Sequence, residues 1–255
     1  MEPGAVDTHC HLFLMDADPA QVIAAARERG VGRLVCVGID PETSRRSAEL
    51  AESFRGVFGT AGMHPHSASE FDRRAGAAIE ELLADPMVVA VGETGLDYHR
   101  RLSPPEDQRL AFRTHVALSR ETAKPLVVHV RDAWEDALAI LGRERAERVV
   151  LHCFSGDESV VNEAEARGYF VSFAGNLTYP NAEGLRAAAA LVGEERLLAE
   201  TDTPFLAPQS LRGSTNNPSN VLAVLQAMAD ARGLNLDRMV RVTTDNAMRA
   251  FPLIR

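Results

Sequence analysis

Eight short runs of β-branched and apolar residues punctuate the chain. They are Ala5–His9, Arg33–Gly38, Val57–Gly62, Val88–Gly92, Leu126–Val130, Val149–Cys153, Tyr169–Phe173 and Arg196–Thr201. Several are apolar at successive positions rather than at alternate ones, as parallel strands covered on both faces should be. Stretches rich in Ala, Glu, Arg and Leu lie between them and predict helices: Pro19–Arg29, Glu42–Phe54, Ala75–Leu83, Glu106–Glu121, Ala133–Leu141, Ser159–Arg167, Asn181–Leu191 and Asn220–Arg232. Gly30, Gly168 and Gly233 stand where three of these helices would need a C-terminal cap. The runs recur at roughly 20–40 residues, the span of one strand and a returning helix. Eight such units predict an α/β fold, a (β/α)8 barrel in one domain over residues 1–255, with a doubly wound open sheet as the alternative. The tail, Asp237–Phe251, reads as a short terminal helix packed on the outside. No repeat in residue identity and no low-complexity segment interrupts the pattern.

Composition narrows the class. The chain has 255 residues, 45% of them hydrophobic, which suffices for one large core. No apolar run approaches the roughly 18 residues of a membrane span, and no basic-then-apolar leader precedes Val6, so a cytoplasmic protein is expected. Three cysteines, Cys10, Cys36 and Cys153, fit a reducing compartment. Strand alternation would turn Cys10 and Cys153 away from the histidines beside them, as buried structural thiols. The net charge of −9 argues against a broad basic nucleic-acid surface and against binding to an anionic membrane. It leaves room for an enzyme whose positive charge is concentrated in a metal site. No obligate protein partner can be read from the sequence.

Candidate chemistry sits at the ends of the strands. His9 and His11 are two apart, and in a strand such side chains share a face about 7 Å apart along the chain. Two imidazoles so placed can converge on one metal ion. Of the eight histidines, His9, His11, His64, His66, His129 and His152 all fall at predicted strand ends, and His99 and His115 do not. Glu93 follows the fourth strand and Asp202 the eighth. In a barrel of this type the C-terminal strand ends carry the active site, and a metal centre is the chemistry this residue set suits.

These residues lie within motifs that resemble the TatD family of metal-dependent deoxyribonucleases, amidohydrolase-like barrels. The motifs run in order: Asp7-Thr-His-Cys-His11, Gly62-Met-His-Pro-His66, Gly92-Glu-Thr-Gly-Leu-Asp97, Pro125-Leu-Val-Val-His-Val-Arg131, His152-Cys-Phe-Ser-Gly156 and Thr201-Asp-Thr-Pro-Phe-Leu206. The resemblance implies two divalent ions, one on His9, His11 and Asp202, the other on His129 and His152, with Glu93 bridging. A bridging carboxylate can hold two ions about 4 Å apart, the spacing used for in-line displacement at phosphorus. Lys124, the only lysine, lies at the start of the fifth strand, so a carbamylated-lysine bridge is not expected. The imidazoles favour zinc, manganese, iron or nickel, whereas phosphoryl chemistry often runs on magnesium or manganese.

The resemblance further implies deoxyribonuclease activity, 3′-to-5′ on single-stranded DNA, with Asp202 as ligand and general base. His64 is a candidate catalytic contact to phosphate or leaving group, or a ligand of an extra ion with Glu200. His66 either touches substrate or shapes its loop. Arg131 pairs with a substrate phosphate or with a ligand carboxylate, and Arg100 and Arg101 are candidate phosphate contacts. Where the family commonly carries Arg-Asn-Glu-Pro, this chain has Thr215-Asn216-Asn217-Pro218, so the rim contacts are expected to differ. Two other readings compete: a metal-dependent hydrolase of another ester or amide, such as D-aminoacyl-tRNA, and a non-catalytic metal-binding protein on the same fold.

Overall fold

A computed structural model describes residues 4–254. Eight parallel strands pair in sequence order, β1 (Ala5–Cys10), β2 (Val31–Val37), β3 (Val57–Ala61), β4 (Val88–Asp97), β5 (Leu126–Arg131), β6 (Val149–Leu151), β7 (Phe170–Phe173) and β8 (Leu197–Ala199). Strand β8 meets β1 through a single bridge, Cys10 to Thr203, supported by bonds from His11 N to Thr203 O and from Asp202 N to His9 O. The result is a nearly closed (β/α)8 barrel, which excludes the doubly wound sheet, because that order would reverse at a switch point.

The helices are α1 (Pro19–Glu28), α2 (Pro41–Ser53), α3 (Arg73–Leu83), α4 (Pro105–Thr122), α5 (Trp134–Arg143), α6 (Glu158–Arg167), α7 (Glu183–Leu191), α8 (Val221–Arg232) and α9 (Leu236–Ala250). Local chemistry sets their starts. Asp18, Asp40, Asp72, Asp157 and Asn235 each accept a first-turn backbone N–H, and Pro19, Pro41 and Pro105 occupy the first turn. Gly168 and Gly233 cap α6 and α8 in the left-handed conformation, as expected.

Strand alternation divides the core in two. Leu34, Cys36, Val57, Leu126, Val149 and Leu197 face outward beneath the helices. Val6, Val35, Val37, Val127, Val150, Phe170 and Leu198 face inward. The tail helix matches its expected bounds to within one residue, but its end is not on the outside: Ala247, Ala250, Phe251 and Ile254 join the inward cluster and close the floor of the barrel. Most strand and helix bounds agree with the sequence reading to within two residues. The exception is β4, which continues five residues past Gly92; β6 and β8 stop two residues early, before His152 and Glu200.

Candidate metal centre

Local irregularities in the strands aim the site. Strand β1 advances three residues, Asp7 to Cys10, while β2 advances two, Leu34 to Cys36. This bulge turns His9 inward above Thr8 and leaves Cys10 outward, its thiol on the Val35 carbonyl. His11 follows the strand, and its ring Nδ1–H donates to the Val37 carbonyl at 2.7 Å, which leaves Nε2 for the centre. Strand β4 must pass close to β5 to deliver Glu93. Gly95 permits this, because a Cβ there would stand 2.0 Å from the His129 carbonyl oxygen.

Five imidazoles and two carboxylates meet at the top of the barrel. Glu93, 3% exposed, divides its oxygens between two groups. Oε2 lies 3.3 Å from His9 Nε2 and 3.8 Å from His11 Nε2. Asp202 Oδ1 joins that group at 3.8 and 3.5 Å from the same nitrogens, which are themselves 3.2 Å apart. Oε1 lies 2.9 Å from His152 Nε2, 3.1 Å from His129 Nδ1 and 3.4 Å from His64 Nε2. An ion with bonds of about 2.1 Å holds tetrahedral donors about 3.4 Å apart. Both donor groups fit that spacing, so His9, His11, Glu93 and Asp202 could hold one divalent ion, and Glu93, His129 and His152 another, with His64 beside it turning its Nε2–H toward Glu93 because His66 N–H occupies its Nδ1.

Burial works against charge throughout this pocket, and the cluster overrides it unevenly. Burial alone would raise Glu93 and Asp202, but the surrounding imidazoles hold Glu93 well below, and Asp202 below, the usual carboxylate range. Burial pushes His9 down, toward the neutral form that can donate a lone pair to a cation, and drives His64 well down, toward the neutral ring whose Nδ1 accepts from His66 N. His11, His129 and His152 go the other way: burial is outweighed by Asp202 and Glu93 beside His11, Asp97 and Glu93 beside His129, and Glu93 and Glu200 beside His152.

Supporting carboxylates complete the set, in roles the sequence pattern does not announce. Glu200, fully buried, accepts from His152 Nδ1 at 3.0 Å and from Cys153 N at 2.9 Å. It therefore faces His152, and the pairing with His64 suggested by the sequence does not form. Asp97 accepts from His66 Nε2 at 2.8 Å and approaches His129 Nε2 at 3.6 Å, too far for a hydrogen bond. Asp7 accepts from Thr201 N, Thr201 Oγ1 and His9 N, and burial pushes its carboxyl up to about 8. A carboxylate within a predicted strand run, as at Asp7 and Glu200, is the signal that marks such residues.

The remaining candidates are placed as follows. His64 Nδ1 accepts from His66 N, which orders the loop after β3. Arg131 ends β5 exposed, and Arg100 and Arg101 are exposed in the loop after β4, with Arg101 Nε on the Tyr98 carbonyl. His115 is structural: its Nε2 accepts from Met63 N and its Nδ1–H donates to Ala111 O, and burial pushes it down to about 4. Cys153 departs from the expected alternation. It lies beyond β6 with φ +43° and is only partly buried, so no strand geometry turns it outward. Asn217 caps the turn before α8 through Ser219 N, a local structural role for the residue that departs from the family pattern. Among the described residues no helix is long and apolar enough to cross a membrane.

Comparison with known proteins agrees with this architecture. An uncharacterized metal-dependent hydrolase of Bacillus subtilis is 39% identical over 249 residues, 96% of this chain and 98% of its own. A 3′-5′ ssDNA/RNA exonuclease TatD of Cronobacter sakazakii is 35% identical over 244 residues, 92% of each chain. The crystal structure of a TatD homologue from Escherichia coli superposes with a TM-score of 0.92 at 26% identity over 99% of both chains. A phosphotriesterase homology protein from the same species shares the fold alone, with a TM-score of 0.71 at 14% identity over 98% of this chain and 99% of its own. The sequence model described as TatD related DNase matches residues 6–252, and the chain belongs to that family.

Proposed function

We propose that this protein is a metal-dependent hydrolase of phosphodiester bonds, acting on single-stranded DNA from the 3′ end with two divalent ions. The observation that carries the reading is the division of Glu93 between two donor groups, Oε2 toward His9 and His11 and Oε1 toward His129 and His152. The exonuclease name of the Cronobacter relative supports the substrate class. When bound, the ions supply Lewis-acid activation of water and neutralise charge at the phosphate.

The chain's own residues do the rest. Asp202, held ionised by His11 and its neighbours, accepts the proton of the attacking water. His64, kept neutral by burial, orients a phosphate oxygen or the leaving group beside Glu93. Arg131, Arg100 and Arg101 offer charge-assisted hydrogen bonds to the substrate backbone at the rim. The carboxylate of Glu200 holds His152 in place, and that of Asp97 holds His66.

The test is hydrolysis of end-labelled single-stranded DNA by metal-stripped protein resupplied in turn with Mg2+, Mn2+ and Zn2+, with Glu93→Ala alongside. Metal-dependent shortening from the 3′ end, lost in the variant, is the expected result. Absence of cleavage in protein that binds two ions would overturn the reading and point to a carboxylic ester or amide substrate.

A further inference from the structure

Among the described residues the large exposed hydrophobic side chains are Leu14, Leu102, Leu110, Leu191, Phe205 and Leu211, and Phe205 is the only aromatic one. It is 53% exposed and lies beside the metal centre, its ring centroid 6.2 Å from that of His11. Phe13 flanks His11 at 5.8 Å but is buried, with Arg46 over its ring, and serves the core. Phe205 gives the core little. Keeping half an aromatic ring in water forgoes hydrophobic stabilisation, yet the backbone that presents it is tightly fixed. Phe205 N donates to Asp202 O at 2.8 Å, and Phe205 O accepts from Asn216 Nδ2 at 2.7 Å. Asn216 is fully buried and also donates to Thr201 O, while its own oxygen accepts from Asn217 N and Asn220 Nδ2. The same short turn thus carries Asp202 and Phe205 and locks both. A groove of about 730 Å³ between α6 and α7 is the other concave feature near the rim, but Asp157 and Glu158 line it and would repel a phosphate chain.

We infer that Phe205 is a stacking platform for the unpaired nucleobase next to the scissile phosphate, and so a specificity-determining residue for single strands. The inference rests on the phosphodiesterase reading above. Every base has a π face, so an aromatic platform binds without regard to sequence. In a duplex the base faces are covered by their neighbours, so the platform engages only unpaired ends. The fixed backbone of the turn reduces the ordering cost of presenting the ring to a base.

The experiment uses metal-loaded wild type, Phe205→Ala and Phe205→Tyr on two single-stranded oligonucleotides, one with a normal terminal base and one with an abasic terminal sugar. Phe205 is half in solvent, so all three proteins should fold, and circular dichroism checks that they do. Phe205→Ala should raise KM on the normal strand about ten-fold or more, the loss expected for one base stack, with kcat nearly unchanged. Phe205→Tyr should restore it, and on the abasic strand the three proteins should have the same KM. Wild-type cleavage with an unchanged KM in Phe205→Ala, or an equal rise on the abasic strand, would overturn the role of Phe205 alone. Failure of wild type to cut any oligonucleotide would overturn the nuclease reading and this inference together.

Discussion

Glu200 offers the sharpest test of how the centre is held. Its Oε1 takes two donors, His152 Nδ1–H and Cys153 N–H, at 3.0 and 2.9 Å, while Oε2 is buried without a partner. The bond to Nδ1 fixes the His152 tautomer, so that Nε2 presents its lone pair 2.9 Å from Glu93 Oε1. Glu200→Gln keeps an acceptor but removes the charge that makes His152 a stronger ligand, and it places an amide N–H₂ where nothing accepts from it. Glu200→Ala leaves both donors unpaired. Losing such a partner lowers metal affinity about 10- to 100-fold, which is about 1.4–2.8 kcal/mol. Each buried donor left unpaired in the alanine variant costs about 1–3 kcal/mol of stability.

Zinc affinity measured by competition with a chromophoric chelator, together with melting of the metal-free proteins, separates the two effects. The glutamine variant should lose affinity with a modest change in melting, and the alanine variant should lose both. A pH dependence follows from the sign of the His152 shift. Burial opposes charge, but Glu93 and Glu200 raise the imidazole well above its ordinary value, so in wild type a proton competes with the metal. Removing Glu200 weakens that competition, so the affinity deficit should be largest at high pH and shrink as pH falls. Equal zinc affinity in all three proteins at high pH would refute the argument and reduce Glu200 to an acceptor for the Cys153 amide.

Three further outcomes are expected. Asp202→Asn should retain metal while lowering kcat on DNA about 10²- to 10⁴-fold, and full activity with metal bound would remove Asp202 as the base. Asp7, raised by burial to about 8, makes native metal-free protein bind a proton that the unfolded chain, near 3.8, has released. Its contribution to stability is therefore full below about pH 4 and declines up to about pH 8, by about 6 kcal/mol at most. Asp7→Asn should flatten that slope in urea unfolding, and an unchanged slope would assign it to other groups. Phe251→Ala should cost about 3–5 kcal/mol by opening the barrel floor, seen as a lower melting temperature with unaltered activity per folded molecule.

Much of this molecule is legible in its sequence because two periodicities carry it. Runs apolar on both faces demand cover on both sides, and eight of them with intervening helices leave few topologies. Polar residues at the strand ends then stand out against that background, which is why His9, His11, Glu93, His129, His152 and Asp202 can all be picked out before any geometry is known. What periodicity cannot convey is its own interruption. Alternation places His9 and His11 on one face of a regular strand, but the side chains converge through a bulge between Asp7 and Cys10. The same alternation would bury the Cys153 thiol away from the centre, yet β6 stops at Leu151 and the backbone at Cys153 is left-handed.

The supporting residues show a second limit. A hydrogen bond between Glu200 and His152 joins positions 48 apart in the chain, and that between Asp7 and Thr201 joins positions 194 apart. No local pattern encodes such a pair. What the sequence does carry is the anomaly each carboxylate makes alone, an acidic residue in a predicted strand run where its ionised form would carry a large desolvation cost. That cost is tolerable only where donors or cations converge on the group. A buried carboxylate at a barrel strand therefore implies converging donors or cations before any partner is identified. In this chain Asp7 and Glu200 flank the same turn of polar backbone that carries Asp202, so the two anomalies point from adjacent strands to one centre.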